Sequence, residues 1–207
     1  MGGSKPIIGI SGGIGAGKSA VAQAFGALGG LVISSDELNR EVLSRPEVAR
    51  TLRSWWGDGV VGVDGKVDRG ALARLVFEDA EKKRRLESLV HPLIARRRAD
   101  IIRASAGDPK VKAIILDSPL LFESSLDREC DAVVFVEASE TRRAERLRKQ
   151  RGWSLRELRL RERWQLPLAE KRSRCQYVIR NEGTRAQLHT QVKNVFERII
   201  AEHASDR

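Results

Sequence analysis

Short apolar runs, interrupted only by Lys112, recur along the chain at residues 6–10, 31–33, 111–116, 132–136 and 177–179, and polar or glycine residues follow each of them. A strand with one wet face alternates polar and apolar positions. Such runs instead belong to a parallel sheet covered on both faces, whose strands need long crossover connections. The intervening stretches supply these, because their apolar residues return at helical spacing. From Gly17 onward Val21, Phe25 and Leu28 share one face until Gly29-Gly30 stops the pattern. Near the C-terminus Leu188, Val192, Val195, Phe196, Ile199 and Ile200 form a stripe suited to a helix lying on a sheet. Residues 37–106 are mainly helical in pattern, broken by a glycine-rich turn region at 57–65, and read as a helical insertion. Within it Pro92 either follows the end of a helix near His91 or opens a new one. The pattern predicts an α/β protein: a three-layer α/β/α arrangement around a five-stranded parallel sheet, forming one domain over 1–207. The core covers about 6–36, 110–140 and 175–204, the insertion about 37–106, and an arginine-rich helical lid about 141–174.

Composition narrows this picture little. With 207 residues, of which 41% are hydrophobic, the chain can fill one sizeable core. The net charge of +10 attracts polyphosphates of any kind, free nucleotides and nucleic acids alike. Two cysteines far apart and three histidines without ligand spacing support neither a disulfide framework nor a zinc site. The polar start before Ile7 is too short for a leader, and no apolar stretch approaches a membrane span. A cytoplasmic location with reduced thiols is the expectation.

Chemistry enters at Gly12-Gly13-Ile14-Gly15-Ala16-Gly17-Lys18-Ser19, which follows the first strand and opens the first helix. The G-x-x-x-x-G-K-[ST] spacing in this context is a phosphate-binding loop: backbone amides wrap the anion, Lys18 reaches the β and γ phosphates, and the Ser19 hydroxyl binds Mg²⁺. Asp36 stands just past the second strand, at the carboxyl edge of the sheet. There it can take the proton of an attacking hydroxyl or cap a helix. Asp117, after Ile114-Ile115-Leu116, is placed to hold magnesium or merely to end a strand. The arginine-rich stretch 141–174, with Trp153 and Trp164 as its large apolar contacts, fits a lid over transferring phosphates or a solvated pair of charged helices.

These segments together resemble the dephospho-CoA kinases over nearly the whole chain. The phosphate loop is similar to the family's Gly-Gly-Ile-Gly-Ser-Gly-Lys-Ser, with Ala16 for the serine and Ala20 for a following threonine. Residues 32–36 with Arg40 are similar to its Asp-Ala-Asp segment, of which only Asp36 is kept. His91-Pro92-Leu93-Ile94 follows in family order, then Asp117 with Pro119-Leu120-Leu121-Phe122-Glu123. Gln165-Leu166-Pro167, Lys171, Ile179, Asn181 and Gly183 complete the match. Ser34 departs from the pattern and supplies no charge near the metal. Cys175-Gln176 stands where the family usually shows Ala-Asp.

The resemblance implies a P-loop kinase performing the last step of coenzyme A biosynthesis, from ATP and dephospho-CoA with Mg²⁺. Asp36 would be the general base, with Lys18, Arg146 and Arg151 stabilising the transferring group. Gly12, Gly13, Ile14, Gly15, Ala16, Gly17, Lys18, Ser19 and Asn181 would bind ATP. Arg40, His91, Asp117, Pro119, Leu120 and Glu123 would line the acceptor side, and Ser19 and Asp117 would hold the metal. No nucleic acid or membrane partner is expected, and the chain would act as a monomer or weak homo-oligomer. The rivals are another P-loop kinase of nucleotides or small metabolites, a nucleic-acid-stimulated ATPase, and a non-catalytic nucleotide-binding relative.

Overall fold

The computed structural model describes residues 5–77 and 79–205. The expectation that no leader is present rests partly on residues 1–4, which lie outside them. Five strands form one parallel sheet: β1 (Ile7–Gly12), β2 (Gly30–Ser34), β3 (Ala113–Asp117), β4 (Ala132–Glu137) and β5 (Tyr177–Arg180), in the order β2-β3-β1-β4-β5. Helix α1 (Lys18–Ala27) joins β1 to β2. Between β2 and β3 lie α2 (Ser35–Leu43), α3 (Pro46–Trp56), α4 (Arg69–Phe77) and α5 (Ala80–Ser105). Between β4 and β5 lie α6 (Glu140–Arg151), α7 (Leu155–Glu162) and α8 (Leu168–Ser173), and α9 (Arg185–Ser205) follows β5.

The central strand β1 has β3 on one side and β4 on the other, so the chain reverses its direction of winding there. That reversal opens a crevice at the carboxyl ends of the strands, where such sheets bind ligands. Ile8 and Ile10 point to the face covered by α1 and α9, whose Phe25 and Phe196 rings stand 5.6 Å apart, and Val21, Leu188, Val192 and Ile199 complete this core. Toward the other face, a Cβ on Gly9 would lie 2.8 Å from Cys130 Sγ and 2.9 Å from Leu121 Cδ2.

The strand starts are pinned by side chains. Asp131 donates its N–H to the Ile7 carbonyl, and its carboxylate accepts the Ile7 N–H at 2.7 Å. Gln176 repeats the device one strand over: its N–H bonds the Val133 carbonyl and its Oε1 accepts the Val133 N–H at 2.8 Å. Glutamine therefore satisfies, without charge, backbone groups at the edge where β5 begins.

Contacts divide the chain into two compact units, one running up to Ser34 and resuming at Ser105, the other spanning Ser35–Ala104. The second has its own core of Val42, Leu43, Val48, Leu52, Val60, Leu72 and Val90, with Leu86, Leu89, Leu93 and Ile94 packed against it. Both expectations for Pro92 are corrected here, since it lies inside α5. An interior proline removes one helix hydrogen bond and costs about 3 kcal/mol. The apolar stripe on either side of Pro92 offsets that cost by anchoring both halves of the helix to the same core.

Candidate active site

The phosphate loop has the backbone its glycines demand. Gly12 (φ 143°) and Gly17 (φ 94°) adopt conformations that other residues avoid. A Cβ on Gly12 would sit 2.5 Å from the Val136 carbonyl, and one on Gly17 would sit 2.2 Å from Asn181 Nδ2. The loop wraps over the end of β1 and leads straight into α1, whose first turn starts at Lys18. Its amides and the helix N-terminus thus address the same point, which suits an anion.

Lys18 Nζ donates to the carbonyls of Gly12 and Gly13, each at 3.0 Å. Burial strips water from the ammonium and pushes its pKa down to about 8; Asp117 and Glu123 oppose this, while the Lys171 and Arg143 charges add to it. The protonated form is the one that grips phosphate. In the free enzyme it is lost as pH rises through about 8, whereas an ordinary lysine would hold its proton to beyond pH 10. The kcat/KM for MgATP should therefore fall on the alkaline side with an apparent pKa near 8. A bound nucleotide favours the charged form, so the corresponding limb in kcat lies higher. A kcat/KM profile that stays flat from pH 7 to about 9.5 would contradict this placement of the lysine.

Ser19 Oγ donates to Asp117 Oδ2 at 3.1 Å. Asp117 closes β3, in register with Ile10 on one side and Ser34 on the other. A hydroxyl and a carboxylate at the carboxyl edge are hard oxygen donors of the kind magnesium accepts beside phosphates. Among the described residues no group of three or more His, Cys, Asp or Glu side chains gathers at one point.

Helix α6 and the start of the chain after β5 brace the loop from behind. Arg146 donates to the carbonyls of Ala16 (3.0 Å), Gly15 (3.4 Å) and Asn181 (2.7 Å). Asn181 is buried, and its Nδ2 donates to the Ala16 carbonyl at 2.8 Å. Ala16 itself is fully buried under these contacts, so the loop position where serine was expected has no exposure to exploit. Arg151 closes α6 and lies 4.9 Å over the Trp153 ring, which Arg161 covers at 4.1 Å. Trp164 corrects the expectation of a second large apolar contact: it is 77% exposed, in the turn after α7.

The segment after β3 is held by a buried lysine. Lys171, 1% exposed, pairs with Glu123 at 2.8 Å and donates to Gln165 Oε1 at 3.0 Å, while the Leu166 N–H donates to the same Glu123 carboxylate at 3.0 Å. Burial alone would raise the Glu123 pKa, but these donors outweigh it and hold the carboxyl below its ordinary range. Of the neighbouring residues, Leu121 and Phe122 are buried and Leu120 is exposed. Arg174 lies 4.3 Å over the Phe122 ring.

In the other unit, Asp36 occupies the first turn of α2, two residues past the end of β2. Arg40 Nε donates to the Asp36 carbonyl at 3.2 Å, and His91 is exposed on α5. Two residues near the loop escape sequence reasoning altogether. Arg143 and Glu162, nineteen positions apart, form an ion pair beneath it, with the arginine buried. The only sequence hint is that Arg143 lies one helical turn before the apolar Leu147 and so shares its inward face.

A parallel sheet switching direction at its central strand, a phosphate loop at that point and a serine–aspartate pair beside it define a P-loop kinase. The family model for dephospho-CoA kinase matches residues 6–187, and the chain belongs to that family. A curated dephospho-CoA kinase of Syntrophotalea carbinolica is 37% identical over 200 residues, covering 94% of this chain and 92% of the relative. One from Geobacillus kaustophilus is 34% identical over 195 residues, covering 92% and 94%. Among solved structures, TT1252 from Thermus thermophilus is similar at a TM-score of 0.79 with 35% identity, covering 95% of this chain and 98% of the other. The dephospho-CoA kinase of Campylobacter jejuni shares the fold at a TM-score of 0.70 and 24% identity, covering 96% and 99%. The chain is thus an ATP-dependent phosphotransferase by family.

Proposed function

We propose that this chain transfers the γ-phosphate of ATP to the 3′-hydroxyl of dephospho-CoA, giving CoA and ADP. The observation that carries this is the formed phosphate loop, with Lys18 on the Gly12 and Gly13 carbonyls and Ser19 bonded to Asp117, in a chain of this family.

Phosphoryl transfer leaves a protein little covalent work: it must align the partners and stabilise charge on the moving group. Residues 12–19 would bind the ATP phosphates through backbone amides. Lys18 would exchange its loop carbonyls for phosphate oxygens that carry full negative charge. Ser19 and Asp117 fit Mg²⁺, and a bound ion would neutralise phosphate charge there. Arg146 would act from behind the loop by holding the Gly15 and Ala16 carbonyls, and Asn181 would fix the same turn beside the adenine. Arg151, at the end of α6 and stacked on Trp153, would supply a cation on the nucleotide side. Asp36 would accept the proton of the acceptor hydroxyl. Arg40, His91, Pro119 and Leu120 would contact the acceptor, and Glu123 would set the 119–123 segment through Lys171.

Among the described residues no helix is long and apolar enough to cross a membrane. The enzyme would act in the cytoplasm as a monomer or weak homo-oligomer. ADP release tested against dephospho-CoA, nucleoside monophosphates, shikimate, gluconate and single-stranded DNA separates the alternatives. Turnover should require dephospho-CoA. Stimulation by DNA that collapses with salt, or preference for another acceptor, would replace this assignment.

A further inference from the structure

Beneath the phosphate loop lies a charge that the transfer chemistry described so far does not use. Arg143, on α6, is 4% exposed. Its Nη1 donates to the carbonyl of Ile14, at the crest of the loop, at 3.2 Å. The same nitrogen bonds Glu162 Oε1, the last residue of α7. The Nε is buried without a hydrogen-bond partner. A Cβ on Gly13 would meet Nη1 at 2.9 Å and Cδ and Cζ at 3.2 Å, so the loop rests directly on this side chain. A Cβ on Gly15 would come just as close to the same helix, 3.0 Å from the Arg143 carbonyl and 2.9 Å from Leu147 Cγ.

A buried guanidinium with an unsatisfied nitrogen is a costly way to fill space, and an apolar pair of similar volume would usually serve stability as well or better. What the arginine can do, and an apolar side chain cannot, is bond a backbone carbonyl and a carboxylate together. A carbonyl on the crest that is held from below cannot swing up toward the nucleotide side, where it would repel phosphate and turn its neighbouring amide away. Glu162 fixes the arginine from the side, because its own position is set by the last turn of α7. That helix begins in a capping box between Ser154 and Glu157 and is tied to the start of α6 by Arg159 and Glu140, at 2.8 Å through both Nε and Nη2 of the guanidinium.

We propose that Arg143, oriented by Glu162, is a positioning residue for the nucleotide: by bonding the Ile14 carbonyl and the α7 carboxylate together it holds the phosphate loop in its anion-accepting form and ties the end of α7 to it. The proposal concerns nucleotide binding and holds whichever acceptor the enzyme uses.

The test is equilibrium binding of MgADP by calorimetry, without acceptor, beside steady-state kinetics and thermal melting, for Arg143→Met, Arg143→Lys, Glu162→Gln and the double variant Arg143→Met/Glu162→Leu. Loss of a charged hydrogen bond that preorganises the loop should weaken MgADP binding by about tenfold to a hundredfold in Arg143→Met. The KM for MgATP should rise in parallel, with kcat lowered far less. Arg143→Lys, which keeps the charge but ends one bond short of the Nη1 that serves both Ile14 and Glu162, should fall between. Glu162→Gln should weaken binding less than Arg143→Met.

The decisive case is the double variant. It removes both charges together, the buried guanidinium and its partner, and should melt near the unaltered protein, yet MgADP binding should stay weak. If the pair merely cements α7 to the core, restoring the melting temperature restores binding as well, and MgADP affinity within about twofold of the unaltered protein would overturn the proposal. Should the methionine variants fail to fold, Arg143→Lys decides by itself: unchanged MgADP affinity there rules the role out, and a weakened affinity with normal melting supports it.

Discussion

Replacing Asp36 by asparagine should lower kcat by roughly two to four orders of magnitude while leaving MgATP binding close to normal. Asparagine matches aspartate in size and caps a helix about as well. Asp36 sits in the first turn of α2, where an N-terminal capping or dipole role is the competing explanation. Capping tolerates the amide, and a lost dipole contact would cost about 0.3–1 kcal/mol of stability without touching turnover. Proton acceptance does not tolerate it, because an amide cannot take the hydroxyl proton as the new bond to phosphorus forms. The substitution therefore separates the two, and turnover at the unaltered rate would remove Asp36 from the chemistry.

Lys18→Ala should reduce kcat at saturating MgATP by about a hundredfold to a thousandfold, the scale seen when one preorganised donor to a charged transition state is removed. The ammonium is already desolvated and held by two loop carbonyls, so little reorganisation is needed when phosphate oxygens replace them. Negative charge on the transferring group spreads in the transition state, and a cation fixed beside it gains more there than in the ground state. The loss should therefore appear in kcat and not in KM alone. The alkaline limb near pH 8 should vanish with the residue. An unchanged kcat at saturating nucleotide would place Lys18 outside the transfer step.

Five strands were legible because each is an apolar run ending in polar residues or glycine, a local signal that needs no tertiary information. The loop from Gly12 to Ser19 was legible for the same reason, since its glycines answer backbone demands within eight residues. Pro92 misled because local rules make it a helix end. The stripe of Leu86, Leu89, Val90, Leu93 and Ile94 packs on both sides of it, and tertiary burial outweighs one lost hydrogen bond. Trp164 misled in the opposite sense: a large aromatic was expected to be an anchor, yet the anchoring there is ionic, through Lys171 with Glu123 and Arg143 with Glu162. Neither pair could be read from spacing, because their members are 48 and 19 positions apart and sit among many other charges. Gln176, an apparent departure from the family pattern, fills a backbone-pinning role for which its amide oxygen suffices.

The most direct measurement is to incubate the purified protein with MgATP and dephospho-CoA and identify the products by mass and by the position of the new phosphate. The expected result is CoA carrying one added phosphoryl group on the ribose 3′-oxygen, formed in step with ADP. ADP formation without phosphorylated acceptor, or phosphate appearing at any other position, would contradict the assignment.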